Sequence, residues 1–191
     1  MPEKSRKIDK ELQEKINSTI PFREIKREPK MCYRMSSAGA TYKDDRDIEH
    51  PLVNSSLAHL EYVPKNLVDF NVPREISPED YLEATLAHEY GHIIFNREIK
   101  KGLIDMIPRK RGLESLKDTF YSEVNEAYAF WFSELLTGIN YPLKDVSKIY
   151  EEKWKLNFKN IINMFEDMTA KGKDVCFDYK KLAQSIKKHR K

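Results

Sequence analysis

Residues 77–95 read SPEDYLEATLAHEYGHIIF, and this stretch predicts a helix that begins near Pro78. The hydroxyl of Ser77 can accept a hydrogen bond from a free amide of the first turn, and proline is favoured at the first helical position. Acidic residues follow in the first turn, where they suit the positive end of the helix dipole. Apolar and small side chains then cover most of the circumference up to Phe95, so we expect the helix to be largely buried.

The same helix carries the sequence HEYGH, with its two histidines four residues apart on one helical face. Two neutral imidazoles in this arrangement can hold one zinc ion. Glu89 lies about 100° further around the helix, from where its carboxylate can reach a water molecule rather than the metal. Burying polar side chains costs free energy unless they bind a hydrogen-bond partner or a metal ion. The pattern therefore predicts that His88 and His92 are zinc ligands and that Glu89 is a general base.

A catalytic zinc site needs a third protein ligand and keeps one position open. No histidine follows His92 at a short spacing, which favours a carboxylate as the third ligand. A second helix is predicted from about residue 113 to residue 136, ending just before Gly138. It carries Glu123 and Glu126 one turn apart, and their spacing alone does not choose between them.

The HEYGH sequence and the later run Asn125-Glu126-Ala127-Tyr128-Ala129 resemble the two motifs of the gluzincin metallopeptidases. The short chain also resembles the archaeal mini-gluzincins, and the likeness extends over about residues 66–136. The resemblance implies a zincin-like fold, a Zn²⁺ cofactor and Glu126 as the third ligand. It further implies a peptide or protein substrate, hydrolysed by a zinc-activated water with Glu89 as the base.

Short apolar runs precede the HEYGH helix at residues 31–35, 58–63 and 66–72, separated by glycine and proline. Runs of this kind are typical of strands, and they predict a small antiparallel or mixed sheet packed on the two helices. The expected fold class is therefore α+β. By the resemblance, residues 66–72 would form an edge strand that pairs with an extended substrate, and simple core packing is the alternative for this strand.

The apolar residues Ile8, Leu12, Ile16 and Ile20 predict an amphipathic N-terminal helix within residues 1–21 that docks on the rest of the protein. Residues 22–172 are expected to form the zincin-like metallopeptidase domain, with a third long helix at about residues 143–170. Residues 173–191 are rich in lysine and are expected to form a basic C-terminal helix or tail.

The chain of 191 residues is 40% hydrophobic and 34% charged, which is typical of one globular domain. Its net charge of +3 is too small to favour nucleic acid as the main partner. We find neither a signal peptide nor an apolar run long enough to span a membrane, and Cys32 and Cys176 form no disulfide or metal-binding pattern. We therefore expect a cytoplasmic protein without a membrane partner.

Two other functions fit the same sequence. A zinc-containing regulatory or binding protein would keep the metal site but have a blocked or inactive peptidase cleft. A nucleic-acid-associated module would use the basic C-terminal segment, although a solvated lysine face is the more common reason for such a segment.

Overall fold

The computed structural model describes residues 1–19, 24–33, 35, 37–60, 76–100, 114–139, 163 and 167, and of residues 114–123 it describes the backbone alone. The described residues form an α+β fold in which helices pack on a small sheet. The elements, in chain order, are α1 (Glu3–Thr19), β1 (Lys30–Cys32), β2 (Gly39–Lys43), β3 (Glu49–Asn54), α2 (Ser55–Ala58), α3 (Pro78–Ile94), a π-helical turn (Phe95–Ile99) and α4 (Glu114–Thr137).

The sheet has three strands in the order β1-β3-β2. The central strand β3 is parallel to β1 and antiparallel to β2. Val53 of β3 lies opposite both Met31 of β1 and Gly39 of β2, and its side chain is fully buried. The sheet is therefore mixed, which is one of the two arrangements predicted from the sequence. Among the described elements β2 is an edge strand, and it contacts α3.

The strand predicted at residues 31–35 overlaps β1, but the strand predicted at residues 58–63 is wrong over residues 58–60. Ser55–Ala58 form the short helix α2, and the side-chain oxygen of Asn54 caps it by accepting from the Ser56 amide at 3.0 Å. Leu60 then has a φ of +58°, which is not extended backbone. A short apolar run fits a buried helix as well as a strand, and here the cap favours the helix. The strand predicted at residues 66–72 lies outside the described residues.

The apolar pattern did not predict the hairpin formed by β2 and β3. The two strands read GATYK and EHPLVN, and they contain glycine, proline and charged residues in place of regular alternation. The turn between them is stabilised by Asp44, whose carboxylate accepts from the amides of Arg46 and Ile48, each at 2.9 Å. The hairpin thus depends on local turn chemistry more than on strand propensity.

Helix α3 begins at Pro78, as predicted, and the Oγ atom of Ser77 caps it by accepting from the Asp80 amide at 3.1 Å. The predicted burial is also confirmed, since most of its side chains between Tyr81 and Ile94 are buried. Helix α4 ends at Thr137, where Gly138 follows with a φ of +70°. This left-handed glycine is the helix end that the sequence predicted.

Helices α3 and α4 approach each other closely at Gly91. A Cβ atom on Gly91 would lie only 2.8 Å from the Cα of Ala129, so the backbones can meet here only because residue 91 is glycine. Ala129 follows Glu126 by three residues on α4, which is about one helical turn. The contact at Gly91 therefore sets the distance between Glu126 and the histidines of α3.

We expect the substitution Gly91→Ala to push the two helices apart and to lower the free energy of unfolding. Overpacking of this kind costs about 1–3 kcal/mol, whereas alanine gains about 1 kcal/mol over glycine in helix propensity. Denaturant unfolding would measure the net loss. The double variant Gly91→Ala/Ala129→Gly should recover only part of it, because the Cα of Ala129 remains in place. A Gly91→Ala protein more stable than the wild type would contradict the close approach.

The N-terminal helix α1 contacts both α3 and α4. Leu12 and Ile16 are buried in the hydrophobic core, as the predicted apolar stripe requires. The hydroxyl of Tyr90 on α3 donates to Oδ1 of Asp9 at 2.7 Å, and burial raises the pKa of Asp9 to about 6 although this hydrogen bond acts to lower it. The ammonium group of Lys15 donates to a main-chain carbonyl oxygen at the end of α4. Contacts from α1 therefore reach both α3 and α4.

The third predicted helix, at residues 143–170, lies outside the described residues except for Asn163 and Asp167, which are helical. The basic segment at residues 173–191 also lies outside them. Among the helices of the described ranges, none combines the length and the apolar character that crossing a bilayer requires.

Candidate metal centre

His88, His92 and Glu126 meet where α3 and α4 face each other. The Nε2 atoms of the two histidines are 3.0 Å apart, and each lies 3.6 Å from a carboxylate oxygen of Glu126. Two atoms that bind one tetrahedral zinc at about 2.0–2.1 Å are roughly 3.3–3.4 Å apart. One potential ligand atom from each residue lies within 4.8 Å of the others. The separations fit a site with two histidines, one carboxylate and a fourth position for water or substrate.

Among the described side chains, Glu126 is the acidic one that joins the two histidines in a group whose potential ligand atoms lie within 4.8 Å of one another. The side chain of Glu123, the other candidate by spacing, lies outside the described residues. His50 is not part of the cluster, because its Nε2 atom lies 3.3 Å from the Asp44 carboxylate and its ring stacks on Tyr42. The geometry thus agrees with a carboxylate as the third ligand.

Glu89 lies beside His88, His92 and Glu126 and is only 4% exposed. Its Oε2 atom has no hydrogen-bond partner among the described residues. Its Oε1 atom lies against the edge strand, since a Cβ atom on Gly39 would be 2.6 Å from it. Glycine at position 39 therefore allows β2 to lie directly on this carboxylate. A buried carboxylate oxygen without a partner is costly, and such groups are often functional.

The cluster opens into a cavity of about 490 Å³. One wall is residues 37–41, which include the first half of β2, and the others come from α3 and α4. Tyr81, Thr85 and Phe130 give the cavity an apolar and aromatic part next to the polar cluster. A concave site of this size and mixed character is typical of ligand and substrate binding.

His92 is oriented by a chain of hydrogen bonds that leads back to the sheet. Its Nδ1 atom lies 3.0 Å from Oδ1 of Asn125, and an amide oxygen only accepts, so Nδ1 carries the proton and Nε2 keeps its lone pair. The Asn125 amide donates to Oδ1 of Asn96 at 3.4 Å, and the Asn96 amide donates to Glu49 at 3.1 Å. Partners of this kind fix the tautomer and ring orientation of metal-binding histidines.

We expect Asn125→Ala to weaken zinc binding by about 10–100-fold, because the ring of His92 loses the acceptor that orients it. Zinc affinity would be measured by competition with a chromophoric chelator. Asn125→Asp keeps an oxygen acceptor for Nδ1 and should retain most of the affinity. Equal zinc affinity in the Asn125→Ala and wild-type proteins would show that the chain does not position His92.

His88 is held by aromatic packing. Its ring meets Phe130 edge-on with centroids 4.4 Å apart, and it meets the ring of His92 at 4.6 Å and nearly a right angle. Its Nδ1 atom is buried and has no hydrogen-bond partner among the described residues. Aromatic packing therefore helps to hold the His88 ring, whose Nε2 atom lies beside His92 and Glu126.

The electrostatics of the cluster follow from burial and from the Glu126 carboxylate. Burial lowers the pKa of His88, but the carboxylates of Glu126 and, to a smaller extent, Glu89 outweigh burial and raise that pKa overall. Burial and then the charge of His88 lower the pKa of His92. Burial raises the pKa of Glu89 to about 7, while His88 acts to lower it and Glu126 to raise it further. The charge of each of these side chains therefore shifts the pKa of its neighbours in the cluster.

Several residues of the centre were not predicted from the sequence. Asn96 follows His92 by four residues on the same helical face, so its spacing could have indicated it. Glu49 and Gly39 belong to the hairpin that the sequence pattern missed, and no local signal connects them with the HEYGH helix. Their part in the site appears only when the sheet is packed on α3.

Comparisons of the chain with protein-family models, with curated proteins and with solved structures found no match. The basis for proposing a function is therefore the centre itself: three convergent side chains that could hold a metal ion, a buried carboxylate beside them and a cavity of about 490 Å³.

Proposed function

We propose that this protein is a zinc-dependent metallopeptidase with a zincin-like active site. One observation carries the proposal. Ligand atoms of His88, His92 and Glu126 lie within 4.8 Å of one another, and the Oε2 atom of Glu89, which has no partner among the described residues, is buried at the same cavity. A purely structural network of buried polar groups would be expected to satisfy each of its members.

The residues take distinct roles in this proposal. His88, His92 and Glu126 hold the zinc ion, and Asn125 positions His92. When bound, the ion supplies a Lewis acid that polarises a carbonyl group and acidifies a water molecule. Glu89 accepts the proton of the attacking water and later delivers it to the nitrogen of the leaving amine. The carboxylate of Glu126 would offset part of the positive charge of the ion.

The edge strand β2 supports a peptide as the substrate. Gly39, Ala40 and Thr41 line the cavity, and among the described elements β2 is paired with β3 on one side alone. An extended peptide can therefore add to the other side by main-chain hydrogen bonds, with its scissile bond near Glu89. The sequence had suggested residues 66–72 for this role, and of the described strands β2 is the one that fits it.

The proposal is tested by elemental analysis of the purified protein, followed by incubation with a mixed peptide library and mass spectrometry of the products. We expect about one zinc ion per chain, loss of cleavage after chelation and recovery on adding zinc. A protein that contains zinc but cleaves no peptide would point to the regulatory or binding function instead. A protein that takes up no zinc would show that the histidine pair is structural.

A further inference from the structure

Gly39 is the point at which the edge strand β2 meets the side chain of Glu89. A Cβ atom at residue 39 would lie 2.6 Å from Oε1 of Glu89, 3.0 Å from its Cγ and 2.8 Å from Cγ2 of Thr85. Non-bonded carbon atoms usually approach one another to about 3.5–4.0 Å, so any side chain at this position would overlap both neighbours. The absence of a side chain at residue 39 leaves that space to the carboxylate.

The surroundings of this contact leave the Glu89 carboxylate as the group that would have to move. Strand β2 is held by its ladder with β3, and next to Gly39 the Ala38 carbonyl accepts from the Asn54 amide at 2.9 Å. Thr85 is β-branched and only 6% exposed, so its methyl group has little freedom to turn away. The carboxylate is the end of a longer side chain, and its displacement would carry it away from the histidines of α3.

The main chain of Gly39 faces the open edge of β2. In an antiparallel pair, residues alternate between exchanging hydrogen bonds with the partner strand and pointing away from it. Since Ala38 bonds to Asn54 of β3, the amide and carbonyl of Gly39 point away from β3. The Gly39 carbonyl accepts from the Ser37 hydroxyl at 2.9 Å with one of its two lone pairs. Gly39 lines the cavity, so an extended peptide can pair with the residue that lies on Glu89.

We propose that Gly39 is a positioning residue for peptide cleavage, an inference that rests on the proposed function. Its main chain receives the substrate, and its lack of a side chain lets Glu89 lie beside the bond to be cleaved. A methyl group at residue 39 would leave the main-chain groups at the edge but displace the base. The loss should therefore appear in kcat and leave KM nearly unchanged.

The test compares Gly39→Ala with the wild-type protein in the kinetics of peptide cleavage and in zinc content. We expect kcat to fall about 10–100-fold, because a small displacement of a catalytic group is costly, while KM and zinc content stay close to the wild-type values. Gly138→Ala is the matched control. A Cβ atom at residue 138 meets no atom within 4 Å, so this variant should keep its kcat although the φ of +70° lowers its stability.

A double-mutant cycle with Glu89→Asp shows whether the effect of Gly39→Ala passes through Glu89. Aspartate is shorter by one methylene group, which withdraws the carboxylate from residue 39. Gly39→Ala should therefore lower kcat and the urea midpoint of unfolding by less when residue 89 is aspartate than when it is glutamate. The urea midpoint detects this contact without any measurement of activity.

The inference is overturned, and the proposed function is left intact, if the wild type cleaves peptides and Gly39→Ala keeps its kcat. The same holds if Gly39→Ala loses activity through KM alone, or loses as much kcat when residue 89 is aspartate. A wild-type protein that cleaves no peptide removes the proposed function and this inference with it.

Discussion

Glu89→Gln should reduce kcat/KM for peptide hydrolysis by about 10²–10⁴-fold while zinc content stays unchanged. The glutamine side chain has the same shape but cannot accept a proton from the attacking water. Glu89 lies beside the ligand cluster without being a member of it, so its replacement leaves the three ligand groups in place. The reduction would therefore come from the loss of proton transfer.

The rate of peptide hydrolysis and the zinc content would be measured on the same samples. Glu83→Gln is the matched control, because Glu83 is a half-buried glutamate on the same helix that does not line the cavity. We expect it to keep full activity. If Glu89→Gln retained wild-type activity with its zinc, Glu89 would not be the base and the proposed mechanism would fail. A parallel loss of zinc and activity would instead assign Glu89 a role in holding the metal.

Glu126→Gln should lower zinc affinity by about 100-fold or more, because a charged ligand is replaced by a neutral amide. Loss of an outer partner alone typically costs 10–100-fold, and a direct ligand should cost at least as much. The carboxylate oxygens of Glu126 lie 3.6 Å from the Nε2 atoms of both histidines, and among the described acids Glu126 is the one grouped with them. Chelator competition would give the affinity.

Two further variants on α4 test whether the loss of zinc affinity is specific to Glu126. Glu134→Gln removes a carboxylate from the same helix at a position that does not line the cavity, and we expect unchanged zinc affinity. Glu123→Gln tests the alternative that sequence spacing left open, and we expect little change there too. If Glu123→Gln lost zinc and Glu126→Gln kept it, the assigned ligand set would be wrong, although the HEYGH pair would remain.

The parts of the fold that were predicted correctly depend on interactions within a few residues. Ser77 and Pro78 define the start of α3, and Gly138 defines the end of α4, because capping and left-handed backbone are local requirements. The hairpin of β2 and β3 was missed because its stability comes from the Asp44 turn and from burial against α3, and neither produces an alternating pattern.

For the candidate site, the sequence by itself determined that His88 and His92 share one face of a buried helix with Glu89 beside them, since helical periodicity alone requires it. Only the tertiary structure decided that Glu126 stands at the two imidazoles, that Asn125 orients His92, and that the edge strand lies on Glu89. These contacts join segments far apart in the chain. Their distances depend on close approaches at Gly91 and Gly39, which are properties of packing and leave no periodic trace in the sequence.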